Sequence, residues 1–229
     1  MKQNSSQHPA IIFDFGGVLM DWNVHYLYDK LFDDPADLER FFNEISFHNW
    51  NLEMDRGRSF AESVTELSSQ FPQYADLIRA FDERWEETLG GPIQPTVKIL
   101  QALKLRGYDL YGLTNWSAEK YEITRHKYPF FDLFDDIVVS GIVKLIKPDP
   151  RIFTLMLEKA DRPAAECLLI DDSEANIIAA RRLGFKTIHF KSAEQLGMEL
   201  SCLGILDEEY AKCEEAESNS NIFARKVFR

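Results

Sequence analysis

Four short stretches of the chain carry side chains suited to chemistry on an anion. The first, Asp14-Phe15-Gly16-Gly17-Val18, closes the apolar run that begins at Ala10. A carboxylate there can act as a nucleophile, and paired glycines let backbone N–H groups approach an anion closely. The second is Thr114-Asn115, a hydroxyl and an amide just ahead of a helix start near Ser117, where phosphate or carboxylate oxygens can be held. The third is Lys147-Pro148-Asp149-Pro150. Its prolines stiffen the chain around a lysine whose ammonium is a point charge suited to a phosphoryl group or a charged nucleophile. The fourth is Asp171-Asp172, after the run Cys167–Ile170. Adjacent acids repel each other unless a cation or hydrogen-bond donors neutralise them, and hard oxygen ligands of this kind suit Mg²⁺ together with waters and substrate oxygens. Each stretch alone has an everyday alternative: a strand-ending turn, an N-cap, a solvated lysine, a capping acid. Their order along the chain carries more weight than any one of them.

For these groups to meet, the segments before them must end at one edge. AIIFDF (10–15), YDLYGLT (108–114), DIVVS (136–140), CLLID (167–171) and KTIHF (186–190) have the length and β-branched, apolar composition of buried strands. Between them lie helical stretches: 95–107 opens on Pro95 and stops at Gly107, 150–160 follows the lysine motif, and 173–184 has Ser173 as a candidate N-cap and Gly184 as its stop. Strands alternating with helices of this length imply right-handed parallel βαβ units and an α/β doubly wound, Rossmann-like sheet. Its ligand crevice lies at the carboxyl ends of the strands, where Asp14, Thr114 and Asp171 then converge. Residues 21–93 break the alternation. They read as an all-helical insertion (26–32, 35–47, 59–71 and 74–89), closed by a flexible joint at Gly90-Gly91-Pro92. The expected organisation is a core of 9–20 plus 94–200, a helical domain over 21–93, and a polar tail over 207–229 with the composition of a disordered segment.

Bulk composition bounds the partners. A chain of 229 residues with 45% hydrophobic residues can bury a sizeable core. Its apolar runs are far shorter than a membrane span, and no hydrophobic stretch follows the N-terminal lysine as a secretory signal requires. A formal net charge of −12 argues against nucleic acid as a partner, but not against a small anionic substrate in a locally positive site. Cys167, Cys202 and Cys213 show no metal-ligand spacing and imply no disulfide framework, so a reducing cytoplasm is the expected compartment. No heptad seam announces an oligomeric state.

In sequence, the nucleophile, hydroxyl, lysine and acidic pair resemble the four motifs of the haloacid dehalogenase (HAD)-like hydrolase superfamily. KPDPRIF (147–153) and LLIDDSEAN (168–176) are the most specific parts, and the resemblance runs from Ile11 to about Leu200. A helical insertion directly after the first motif looks like the family's C1-type cap. The resemblance implies that Asp14 forms a covalent intermediate and that Lys147 steadies both the nucleophile and the transferring group. It implies Mg²⁺ bound by Asp14, the Gly16 carbonyl, Asp171 and Asp172. Thr114 and Asn115 would hold phosphate oxygens, helped by the N–H groups of Gly16 and Gly17. These are electrostatic and positioning roles. The implied activity is that of a phosphatase of a small phosphorylated metabolite such as a sugar phosphate.

One departure from the pattern matters. Family phosphatases usually carry a second aspartate two positions after the nucleophile as general acid and base, and here that position is Gly16. Losing such a group costs on the order of 10²–10⁴ in rate. Asp21, His25 and His48 in the helical segment are candidate replacements, and a substrate with a good leaving group would lessen the need. The 2-haloacid dehalogenases of the same superfamily also lack that aspartate and use no metal, which makes them the rival reading. The adjacent Asp171 and Asp172 favour the metal-dependent phosphatase. A third reading is a degenerate member that binds a phosphometabolite or a protein. Specificity is expected from the helical segment, with Asp21 and Trp22 near a hinge and Phe47-His48-Asn49-Trp50-Asn51 offering aromatic and amide contacts to substrate.

Overall fold

The structure, a computed structural model, describes residues 8–207. The tail expected over 207–229, apart from Asp207, and Cys213 lie outside the described residues. The chain opens with β1 (Ala10–Phe13) and β2 (Met20–Trp22) and continues through α1 (His25–Tyr28), α2 (Pro35–Glu44), α3 (Phe47–Asp55), α4 (Phe60–Gln70) and α5 (Ala75–Glu83) to β3 (Leu89–Pro92). It then alternates: α6 (Gln94–Leu105), β4 (Leu110–Thr114), α7 (Ala118–Arg125), β5 (Asp136–Val139), α8 (Ser140–Val143), α9 (Pro150–Ala160), β6 (Cys167–Asp171), α10 (Glu174–Arg182), β7 (Lys186–His189) and α11 (Ala193–Cys202).

The alternating part folds as the apolar runs require. Five parallel strands stand in the order β5-β4-β1-β6-β7. The chain builds outward from β1 to β5 and then returns to the other side of β1, so the strand order reverses beside β1. That is where an open α/β sheet forms its ligand crevice. Period-two alternation divides the core between two faces. Ile11 and Phe13 pack with Leu168, Ile170, Leu100 and Leu196 on one side, while Ala10 and Ile12 pack with Val138, Leu169, Phe153 and Met156 on the other. The sheet is therefore covered by helices on both faces, as in an α/β doubly wound fold. α7 and α9 start where the sequence supplies oxygen acceptors: Ser117 takes the Lys120 N–H and Asp149 takes the Arg151 N–H. Ser173 occupies the N-cap position of α10 but makes no side-chain cap bond; its own N–H donates instead to Asp171 Oδ1 at 2.9 Å.

The helical segment departs from the sequence reading in detail. The helix expected over 26–32 shrinks to α1, because Asp34 and Pro35 already fix the start of α2. The helix expected over 35–47 breaks at Ser46, whose left-handed backbone (φ 52°) redirects the chain into α3. Phe47, Trp50 and Met54 then share the buried stripe of α3, at helical spacing. They join an aromatic cluster with Tyr28, Phe41, Phe42 and Phe81, where the Phe47 and Phe81 rings lie 5.0 Å apart edge-on. Gly90-Gly91-Pro92 is no loose joint either. Met20 and Asp21 pair with Pro92 and Gly91 in an antiparallel ribbon, β2 with β3, that carries both crossings between the sheet and the helical segment. Among the described residues no helix is long and apolar enough to cross a membrane.

Candidate active site

The ends of β1, β4 and β6 lie side by side, and each delivers one of the groups that the sequence singled out. The Asp14 N–H extends the ladder by donating to the Ile170 carbonyl at 2.9 Å, so its carboxylate emerges at the strand end. The following loop is folded tightly by the Phe15 carbonyl, which accepts from Val18, Leu19 and Met20 N–H groups, and is anchored by the Phe15 ring stacked 5.1 Å from Phe131. Gly17 has φ 71°, and a Cβ there would lie 2.4 Å from Asp172 Oδ2. Only glycine lets this loop pass so close to the acidic pair.

Lys147 sits between two carboxylates, with Nζ 2.8 Å from Asp14 Oδ2 and 2.7 Å from Asp171 Oδ2. Its position is set by Asn115, whose Oδ1 accepts the Lys147 N–H at 2.8 Å while its Nδ2 donates to the Lys147 carbonyl at 3.0 Å. Asp171 is fully buried and held by Asn176 Nδ2 at 2.9 Å and the Ser173 N–H. Carboxylate oxygens of Asp14, Asp171 and Asp172 all lie within 4.8 Å of one another.

The electrostatics follow from burial. Asp14 is pushed up to about 7, because desolvation and the neighbouring Asp171 outweigh the pull of Lys147. Asp172 is raised as well, by burial and then by Asp171. Desolvation works against the Lys147 charge, but Asp14 and Asp171 together hold its ammonium above the ordinary lysine value. Three clustered carboxylates thus face one ammonium, leaving an excess of negative charge and a set of hard oxygen donors. That donor set fits a divalent cation such as Mg²⁺.

Next to these groups, reached through Gly16, Thr114 and Asn115, lies a cleft of about 550 Å³, open to solvent. The sheet side contributes Gly16, Thr114, Asn115, Trp116 and Ser117; the ribbon and helical segment contribute Met20, Trp22, Asn51, Asp55, Phe60, Trp85 and Leu89. Of the residues expected to meet substrate from that segment, the structure brings Trp22 and Asn51 to the cleft and leaves others aside. His25 pairs with Asp29 at 3.0 Å on the exposed side of α1. His48 is exposed, because the stripe of Phe47, Trp50 and Met54 turns its face of α3 away from the core. Trp50 is packed inside the aromatic cluster, with its indole N–H on the Ser63 carbonyl. Asp21 accepts the Tyr26 hydroxyl at 2.8 Å. The Gly17 N–H, expected at the substrate, donates instead to the Met20 carbonyl at 2.9 Å, because the loop turns back into β2.

Sequence reasoning missed Asp55, Phe60, Trp85 and Trp116. The one available signal was the pair Asn51 and Asp55, four apart on a stripe of α3 adjoining the buried one. Asn51 Nδ2 donates to Asp55 Oδ2 at 3.2 Å, and a backbone hydrogen bond from Ser117 reaches the same carboxyl.

Known proteins share this framework. A sesquiterpene phosphatase of Aspergillus oryzae is 30% identical over 194 residues, spanning 83% of this chain and 94% of its own. A pyrophosphatase of Bacillus velezensis is 25% identical, over 78% of this chain and 81% of its own. A HAD family enzyme from Bacteroides thetaiotaomicron, solved in complex with magnesium and inorganic phosphate, superposes with a TM-score of 0.61 at 24% identity, covering 80% of this chain and 94% of that one. The family described as haloacid dehalogenase-like hydrolase matches residues 8–184, and the chain belongs to that family.

Proposed function

We propose that the protein is a Mg²⁺-dependent phosphomonoesterase that works through a phosphoaspartate on Asp14 and takes esters with an apolar organic group. The observation that carries this reading is the arrangement at the strand ends: a buried lysine bridging Asp14 and Asp171, with Asp172 completing a cluster of three carboxylates. Asp14, the Gly16 carbonyl, Asp171 and Asp172 are the residues that would hold Mg²⁺, which when bound supplies positive charge to the phosphoryl oxygens.

The chain's own groups supply the rest. Asp14 attacks phosphorus with the oxygen not committed to the Phe15 N–H, which takes Oδ1 at 2.7 Å. Lys147 keeps that carboxylate oriented and balances charge on the transferring group. Thr114, buried at the end of β4 and lining the cleft, offers a hydroxyl to a phosphoryl oxygen. Asn115 acts by clamping the Lys147 backbone. The helical segment serves as a cap over this site, since its residues form the far wall of the cleft.

The wall also bears on the substrate. Met20, Trp22, Phe60, Trp85, Leu89 and Trp116 offer aromatic and aliphatic surface and no charge. This favours a hydrocarbon ester over the sugar phosphate suggested by the sequence, because a hydrocarbon chain buries apolar surface against these side chains, whereas a sugar's hydroxyls would have to share the few polar lining groups with the phosphoryl group. The Aspergillus oryzae relative is named for a sesquiterpene substrate, which supports the same direction.

The test is phosphate release from an aryl phosphate, a prenyl monophosphate and a hexose phosphate, with Mg²⁺ and with a chelator, beside halide release from 2-chloropropionate. Metal-dependent hydrolysis, with the prenyl ester preferred over the hexose ester in kcat/KM by at least about 10-fold, is expected; burial of each methylene alone contributes about 0.8 kcal/mol. Halide release insensitive to the chelator would overturn the reading.

A further inference from the structure

We infer that Asp55 is the acid–base group of the hydrolysis, reaching the ester oxygen from α3 rather than from the nucleophile loop. The inference rests on the phosphatase reading above.

An alkyl ester leaves as a strongly basic alkoxide, so it needs a proton as the P–O bond breaks. The loop after Asp14 carries no group that could give one: its cleft-facing residue is Gly16, and a Cβ built there would meet nothing within 4 Å. α3 lines the same cleft with Asn51 and Asp55. Among the residues lining the cleft, Asp55 has the one titratable side chain. It is tied to the loop that follows Thr114 and Asn115 by the backbone hydrogen bond from Ser117, and oriented by Asn51 Nδ2 at 3.2 Å. It shares the cleft with Phe60, Trp85 and Trp116 and is itself part-buried. Burial accordingly raises its pKa to about 7, against the opposing Ser117 bond, so that both protonation states are populated near neutral pH. Charged side chains on this and neighbouring elements pair elsewhere. Lys120 binds Asp82, Glu53 binds Arg56, and Glu119 accepts the Phe60 N–H.

Two balanced steps follow. Asp14 forms a bond to phosphorus as the ester P–O bond breaks; the electron pair goes to the ester oxygen, which takes the Asp55 proton and departs as the alcohol. A water then forms a bond to phosphorus as the Asp14–phosphorus bond breaks. The pair returns to the Asp14 carboxylate, one water proton passes to Asp55, and inorganic phosphate is released with the enzyme restored.

The experiment compares wild type with Asp55→Asn, loaded with Mg²⁺, on decyl phosphate and on 4-nitrophenyl phosphate, whose leaving group is weakly basic. With Asp55→Asn the aryl ester should still give a rapid burst of one nitrophenolate per site, followed by turnover slowed by about 10²–10⁴, because the second step has lost its base. Decyl phosphate should give no decanol burst and a loss at least as large. Adding Gly16→Asp to Asp55→Asn, which places a carboxylate in the open space, should restore part of the decyl phosphate rate. Equal slowing of both first steps, or a decyl phosphate rate within about threefold of wild type in a variant that melts as wild type does, would overturn the inference. If wild type itself releases phosphate from neither ester, the phosphatase reading fails and takes this inference with it.

Discussion

Lys147 is the residue on which the charge balance of the site turns. Among the described residues its ammonium is the one cation placed between Asp14 and Asp171, in a buried environment where two carboxylates repel strongly. Lys147→Met should therefore cost about 3 kcal/mol in a urea titration of the metal-free protein at pH 7, since it leaves buried acids without a partner. Asp14→Asn should behave oppositely: turnover is abolished while the thermal transition stays within a few degrees of wild type, because removing one acid relieves repulsion. Residual turnover above about one per cent would remove Asp14 from the nucleophile role. Asp55 makes a third case, with its sign set by burial. Its raised pKa means that the folded state binds a proton more tightly than the unfolded chain. The stability of wild type thus falls as pH climbs from the unfolded value near 4 through about 7, and Asp55→Asn should escape that loss. The variant should be more stable than wild type by about 2 kcal/mol at pH 8 and no more stable at pH 4, by urea melts. The contrast between these residues explains what the sequence could reveal. Asp14, Thr114 and Asp171 each close an apolar run, so a strand reading alone sends them to one rim, while Lys147 is marked by the prolines that follow it. Asp55 gains its meaning only when α3 meets the loop that follows β4, through the Ser117 bond and the shared cleft, and that contact is not written in local spacing.

At the scale of elements, the sheet was legible and the helical segment only partly. Buried parallel strands advertise themselves as short continuous apolar runs, which is why all five strands of the large sheet lie within the expected stretches. The helices over 21–93 share one aromatic-rich composition, so their boundaries depend on single residues such as Ser46, whose left-handed backbone no periodicity announces. The two strands of the ribbon were hidden because three and four residues are too few to show alternation. The same segment is fastened to α7 at a point away from the reacting groups. Lys120 Nζ donates to the Asp82 carbonyl at 3.0 Å and to its Oδ1 at 2.5 Å, and lies 4.2 Å over the Phe60 ring. If the segment closes over substrate as a cap, this contact latches it. Lys120→Met should then raise KM by about three- to tenfold with a smaller change in kcat, matching the roughly 1 kcal/mol of an ion pair between a buried lysine and a part-exposed aspartate with a cation–π contact. A change in kcat alone, with KM untouched, would place the latch in the wrong step.

Viewed across the whole molecule, an acidic chain gathers its least compatible charges at the point where the strand order reverses, an arrangement that a bound cation would relieve. The metal-free protein carries two acids of that cluster, Asp14 and Asp172, with pKa values pushed upward by burial. Between the unfolded carboxylate range near 4 and the Asp14 value of about 7, the folded state binds more protons than the unfolded chain, so its stability declines as pH rises. A divalent ion held by the same oxygens needs them ionised and cancels their repulsion, so its benefit must run the other way. Thermal melts with and without Mg²⁺ should show a small increment at pH 5.5 and a large one at pH 8. At a free concentration a hundred times Kd the increment at pH 8 corresponds to about 2.7 kcal/mol. Asp172→Asn should flatten that pH dependence together with the increment, because it removes an acid and a ligand at once. An Mg²⁺ increment of equal size at both pH values would mean that the ion binds elsewhere on this acidic surface, and that Asp14, Asp171 and Asp172 do not share it.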